Sequence, residues 1–180
     1  MKIAITGHSA GIGKALAAEY ARDGHEIVGL SKRDGNNIRN VPKIADMIEP
    51  CDVFINNAQA GYSQTELLYE VANRWQGTKK HIIVISSILA QIPICPIPGL
   101  DMNQYRVQKV ALEEAARQIR WLKLGINITI VRPGDIATQD HKTVPPAADV
   151  NNWAKSLVDM FRMADANNLV IPEIALGPKL

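Results

Sequence analysis

Five short runs constrain this chain more than anything else in it. Lys2–Thr6 (KIAIT), residues 26–31 (EIVGLS), 52–56 (DVFIN), 81–86 (HIIVIS) and 127–132 (NITIVR) are of strand length and rich in Ile and Val. They are apolar on both faces, which predicts strands covered by helices on both sides. Helical patterns over residues 11–23, 42–49, 65–75, 101–123 and 151–164 separate them, and a last run, 169–171 before Pro172, predicts a sixth strand. Such βα alternation requires right-handed crossovers and therefore a parallel sheet. The expected architecture is α/β, a doubly wound parallel sheet in three αβα layers.

Composition narrows the class further. The 180 residues leave room for one domain, 1–180. At 47% hydrophobic and 21% charged residues, the chain can bury a core without disulfide support. Twenty basic residues against eighteen acidic ones give a formal charge of +2, too balanced for a nucleic-acid or membrane-surface protein. Aromatic residues are only 5%, which also argues against a stacking platform for single strands. Cys51 and Cys95 lie far apart, outside any C-x-x-C spacing, and read as thiols of a reducing compartment; no metal cluster is expected. No apolar run reaches the roughly 18 residues of a membrane span, and no signal segment precedes the first strand. A cytoplasmic location is the expectation.

The first strand runs into Thr6-Gly7-His8-Ser9-Ala10-Gly11-Ile12-Gly13, and a helix follows. Glycines there permit a tight turn, let backbone amides approach a phosphate, and let the helix pack close to the strand. The helix N-terminus adds amides and partial positive charge. The spacing T-G-x-x-x-G-x-G resembles the nucleotide motif of the short-chain dehydrogenase/reductase family, which has a Rossmann-type fold. The resemblance implies that Thr6, Gly7, Ser9, Ala10, Gly11, Ile12 and Gly13 form the pyrophosphate cradle of a nicotinamide dinucleotide. His8 reads as a loop residue near the phosphates.

The second strand ends in Ser31-Lys32-Arg33, with no acidic residue before Asp34. A hydroxyl and two cations suit a 2′-phosphate, whereas a carboxylate would select the free ribose hydroxyls. NADP(H) is expected in preference to NAD(H), with Ser31, Lys32 and Arg33 around the phosphate. A solvated basic turn is the other reading of these residues. Asn37-Ile38 resembles the family's Asp-Val/Leu pair beside the adenine, with Asn for the usual Asp. Residues 52–59 (DVFINNAQ) resemble D-x-L-V-N-N-A-G; Asn57 and Ala58 then line the cofactor, and Gln59 replaces the glycine.

Tyr105 and Lys109 form Y-x-x-x-K on a helical segment, which puts both on one face. An ammonium beside a phenol favours the phenolate and lowers its pKa. Ile85-Ser86-Ser87 resembles the family's I-S-S, which assigns Ser87 to polarising a substrate carbonyl and leaves Ser86 a structural hydroxyl. Residues 132–138 (RPGDIAT) resemble R-P-G-x-V-x-T, which implies that Pro133, Gly134, Ile136 and Thr138 hold the nicotinamide end. The implied activity is hydride transfer between NADP(H) and a small-molecule carbonyl or secondary alcohol, with Ser87, Tyr105 and Lys109 catalytic. A non-catalytic NADP(H)-binding sensor is the alternative.

Three departures and several expectations complete the reading. The family's relay asparagine is missing between Asn57 and Ser87, and Gln59 or Gln64 could stand in for it. The Pro-rich segment 92–99 is expected to wall the substrate pocket, with 137–150 as substrate loop. The shortness of the chain is assigned to the helix after Asn57 and to that loop. His141 reads as solvated, and Trp121 and Trp153 as packing residues. Val107, Val110, Ala111, Ala115 and Ile119 are available for core and interface, and the family's habit implies a homo-oligomer, a dimer or a tetramer.

Overall fold

A computed structural model of the protein describes residues 1–93, 101–138 and 147–178. The chain runs β1 (Lys2–Thr6), α1 (Gly11–Arg22), β2 (Glu26–Leu30), α2 (Val41–Ile48), β3 (Val53–Asn56), α3 (Ser63–Arg74) and β4 (His81–Ile85). It continues through α4 (Asn103–Trp121), β5 (Asn127–Pro133), β6 (Ile136–Ala137), β7 (Ala148–Asp149), α5 (Val150–Ala166) and β8 (Glu173–Leu176). Six strands form one parallel sheet in the order β2-β1-β3-β4-β5-β8. This is the expected Rossmann-type α/β fold.

Strand pleating explains why consecutive apolar residues were needed. Ile3 and Ile5 face α1 and α5, packing with Leu16, Trp153 and Leu157, while Ala4 between them faces the other layer. That second layer holds α2, α3 and α4, with Ile44, Leu68, Trp75, Leu112 and Ala116 against Phe54, Ile82 and Ile130. The direction change lies at β1: the chain first builds outward to β2, then crosses back to β3. Ligands of open α/β sheets bind at the C-terminal ends of strands flanking such a reversal.

Three expectations are corrected. The last strand follows Pro172 rather than preceding it. Asn168 adopts a left-handed turn (φ 54°), Leu169 and Val170 are exposed, and pairing with β5 starts at Glu173 opposite Ile130. The shortening does not come out of the helix after Asn57, since α3 is a full 12 residues. It lies at the β2 edge, where one strand stands beyond β1 instead of the two in the 3-2-1-4-5-6 order. Trp153 packs as expected and donates Nε1–H to the Leu176 carbonyl (2.9 Å), but Trp121 is 82% exposed at the end of α4. The buried tryptophan of that layer is Trp75. Cys51 is a buried free thiol. The calls on Cys95, on His141 and on most of the Pro-rich segment and substrate loop lie outside the described residues.

An ion network fastens β8 to the sheet. Arg132 on β5 grips Glu113 of α4 with two bonds (2.9 and 2.8 Å) and reaches Glu173 at 2.6 Å. Arg120 adds a bond to Glu173 at 2.8 Å. Burial pushes the Glu173 carboxyl up, but Arg132 and Arg120 outweigh it and hold it at about 2. A carboxyl whose folded value lies below its ordinary 4.5 stabilises the fold above that pH and loses the contribution as pH falls toward 2. Glu173→Gln should therefore lower stability at pH 7 by about 1–2 kcal/mol, a value reduced for partial exposure. Urea unfolding should show a flatter pH dependence between 4.5 and 2 than in the parent. Identical slopes in the two proteins would mean that Glu173 does not titrate in this network.

Candidate active site

The glycine turn and the end of β3 are locked together. Thr6 is fully buried, and its hydroxyl accepts the amides of Asn57 (3.0 Å) and Ala58 (3.1 Å). Asn57 returns the contact, its Nδ2 donating to the Thr6 carbonyl at 2.9 Å. Thr6 and the Asn57 side chain thus brace the turn from behind rather than lining it. Gly7 and Gly11 sit at φ +72° and +51°, conformations that side chains disfavour. At Gly13 the constraint is space: a Cβ would lie 2.7 Å from Asn57 Nδ2 and closer still to the Gly7 carbonyl.

Beside the turn opens a cavity of about 560 Å3. Gly7, Ser9 and Ala10 line one side, Ser31, Lys32, Arg33, Asn37 and Ile38 another, and Ala58 to Ala60 a third. The two cations expected at a 2′-phosphate therefore do face the cavity with Asn37 and Ile38. Asp34 is not among the lining residues; the Ser31 hydroxyl donates to its Oδ2 at 2.8 Å. His8 takes a place the sequence did not suggest. It packs on β2, where a Cβ at residue 29 would fall 2.6 Å from its Cγ, so Gly29 makes room for the ring. The signal was the glycine inside an otherwise Ile/Val strand.

The turn after β5 closes over the cradle. The Thr138 methyl lies 3.3 Å from where a Cβ on Gly11 would stand. Gly134 donates its amide to the Leu176 carbonyl (2.9 Å) and is pressed against Gly177. Ile136 is buried and pairs with Ala148 in a short β6–β7 ribbon. Motifs 131 residues apart in the sequence (Gly7 and Thr138) thus meet at one edge of the sheet.

Ser87, Tyr105 and Lys109, expected as the catalytic residues, lie at and behind the end of β4. Ser87 follows β4, where its hydroxyl accepts the Leu89 amide at 3.2 Å. Burial pushes the Tyr105 phenol up, and the Ser87 hydroxyl opposes this only in part. One helical turn on, Lys109 is 3% exposed, its Nζ 5.5 Å from the centre of the Tyr105 ring. That nitrogen donates to the Ile85 carbonyl and to Gln64 Oε1, both at 2.9 Å. Burial lowers Lys109 to about 7, against a smaller upward pull from Glu113. Ser86 is the structural hydroxyl, donating to Glu113 Oε1 at 2.6 Å. Of the two glutamines that could stand in for the relay asparagine, Gln64 touches Lys109, whereas Gln59 bonds Gln108 on the outside of α4.

Among the described residues, no group of three His, Cys, Asp or Glu side chains could hold a metal ion, and no helix is long and apolar enough to cross a membrane. Val107 and Val110 are exposed on α4, while Ala115 and Ile119 belong to the core.

The sheet order and the glycine turn after β1 define a Rossmann-type α/β architecture. No protein-family model matches the chain, and no curated protein matches it. Solved structures do. The 3-alpha-hydroxysteroid dehydrogenase from Pseudomonas sp. B-0831, complexed with NADH, is similar at TM-score 0.73 and 20% identity, over 98% of this chain and 94% of that one. The alcohol dehydrogenase from the archaeon Thermococcus sibiricus, complexed with 5-hydroxy-NADP, is similar at TM-score 0.76 and 16% identity, over 99% of each chain. A short chain dehydrogenase from Burkholderia cenocepacia J2315 in complex with NADP has TM-score 0.75 and 16% identity, over 98% of this chain and 88% of that one. The chain therefore has the fold of the short-chain dehydrogenases.

Gly13→Ala should lower stability by about 2–3 kcal/mol, because backbone lies where the methyl must go. The thermal midpoint should fall by roughly 5–10 °C. An unchanged midpoint would mean that the helix need not pack so closely on the turn.

Proposed function

We propose that the chain is a member of the short-chain dehydrogenase/reductase family and an NADP(H)-dependent oxidoreductase. It exchanges hydride between the cofactor and a small-molecule carbonyl or secondary alcohol. The observation that carries this reading is the buried Lys109 amine held 5.5 Å from the centre of the Tyr105 ring, with the Ser87 hydroxyl acting on the same phenol, in a chain whose glycine cradle is closed by Thr138.

The cradle fits a dinucleotide. Its left-handed glycines expose backbone amides at the start of α1, the cavity beside them is large enough for an adenosine, and Lys32 and Arg33 flank it. When bound, the nicotinamide supplies or accepts the hydride. The remaining chemistry belongs to the chain. Ser87 can donate a hydrogen bond to a carbonyl oxygen and fix its position. Tyr105, kept protonated by burial, then donates its proton as negative charge develops on that oxygen. A C–H and an O–H bond form, and the carbonyl becomes an alcohol. Burial keeps the phenol in the protonated form that carbonyl reduction requires of its proton donor. Lys109, charged below about pH 7, stabilises the phenolate left behind.

Lys32 and Arg33 support NADPH over NADH, because Asp34 is engaged by Ser31 instead of facing the cavity. A homo-oligomer, dimer or tetramer, belongs to the same proposal, with Val107 and Val110 on α4 as the apolar face. So does a cytoplasmic location.

Tyr105→Phe should abolish NADPH oxidation with a panel of carbonyl compounds while NADPH affinity, read by fluorescence, stays within about threefold, since the lost hydroxyl acts on the substrate. Retained turnover would refute the assignment. Binding without turnover by the parent protein would leave the sensor alternative standing. Arg33→Ala should weaken NADPH about tenfold and leave NADH unchanged, as expected for loss of one charge-assisted phosphate contact. Equal affinities, unaffected by the substitution, would remove the phosphate site.

A further inference from the structure

Gln64 is an odd residue for its place. It stands in the first turn of α3, is 2% exposed, and spends its whole side chain on other elements. Its Nε2 donates to the Asn56 carbonyl at the end of β3 (2.7 Å) and to the Ile85 carbonyl at the end of β4 (3.1 Å). Asn56 Nδ2 donates back to the Gln64 backbone carbonyl at 2.9 Å. Two carbonyls facing one end of the amide require the NH2 there, so the oxygen must point the other way. At that end sits Lys109 Nζ, 2.9 Å from Oε1.

We propose that Gln64 is a positioning residue for the proton-handling pair: its amide oxygen holds the Lys109 amine behind Tyr105 and stabilises it as the ammonium. This rests on the oxidoreductase reading for its consequence in catalysis, but not for its geometry. The Ile85 carbonyl and Gln64 Oε1 together take two of the three N–H donors of an ammonium. The third has no partner among the described residues and is left for a hydroxyl of whatever occupies the site.

The surroundings decide how much Gln64 matters. On its own helix Lys109 faces Tyr105 and Glu113; the latter is shared with Arg132 from β5 and Arg117. From β4 it meets the Ile85 carbonyl, with Ser87 beyond at Tyr105. From α3 it meets Gln64 alone. Glu113 favours the charged amine from a distance, but its oxygens are taken by Ser86, Arg132 and Arg117, so the two neutral oxygens are the direct hydrogen-bond partners of this 3% exposed amine.

The test reads Lys109 itself. In cofactor-free protein with 13C-labelled lysine, the Cε resonance, assigned through Lys109→Arg, is followed against pH. The parent should titrate near 7. Gln64→Met, of similar volume and without an acceptor, should move the midpoint down by about one unit or more, the loss expected for a hydrogen bond to a charged group. Gln64→Glu should move it up, because a carboxylate then faces the amine. The alkaline limb of kcat/KM should move in the same directions. A folded Gln64→Met protein whose Lys109 midpoint is unchanged overturns the proposal. So does failure of both variants to fold, which would make Gln64 a core residue and nothing more. If the parent oxidises no NADPH, the oxidoreductase reading falls, while the Lys109 titration still decides the role of Gln64.

Discussion

One buried carboxylate holds the working end of this molecule together. Glu113 is 2% exposed, and three side chains converge on it. Arg132 binds it from β5, Ser86 from the end of β4, and Arg117 from the next turn of α4. Removing Arg132, buried like its partner, would leave an uncompensated charge in the interior, a loss of about 3–5 kcal/mol. The consequence is geometric as well as energetic. Ser86 fixes the residue before Ser87, Arg132 fixes the residue before the Pro133-Gly134 turn, and Glu113 lies one helical turn after Lys109. The three parts of the candidate site are therefore tied to one another through a single side chain.

The parallel sheet explains why that arrangement lies where it does. All six strands point the same way, so the glycine turn after β1, Asn57 after β3, Ser87 after β4 and the turn after β5 emerge on one edge. Thr6 and Asn57 stitch the first two together, and Thr138 reaches across to Gly11. Losing a strand beyond β2 leaves this untouched, because the crevice forms between β1 and β3. A chain of this length can keep the cradle whole while giving up an edge.

Much of this was legible in the residues. Five Ile/Val runs gave five strands within a residue or two at each end, because a strand buried on both faces has no polar alternation to confuse its limits. The last strand was misplaced because residues 169–171 look more apolar than Glu173–Leu176. What selects the latter is the pairing of Glu173 with three arginines, Arg117, Arg120 and Arg132, a tertiary contact invisible in local pattern. Trp121 failed for a related reason: helix periodicity places residues on faces but does not say where a neighbouring element stops. Gln64 carried no signal beyond lying in a segment where a polar residue was wanted. Its role depends on two carbonyls and an amine brought in by β3, β4 and α4.

The site also contains a tension that sequence motifs do not express. An ammonium next to a phenol is expected to push the phenol toward its anion, yet burial works against both groups, lifting Tyr105 and lowering Lys109 to about 7. Each group loses hydration, and the charge is stabilised by Glu113 at a distance and by dipoles in contact: the Ser87 hydroxyl at Tyr105, the Ile85 carbonyl and the Gln64 amide at Lys109. Lys109, held near the balance between its charged and neutral forms, responds strongly to a single additional hydrogen bond, whereas the Tyr105 phenol stays protonated. Anything that offers the third donor of Lys109 an acceptor favours the ammonium, and an ammonium there draws the phenol back down.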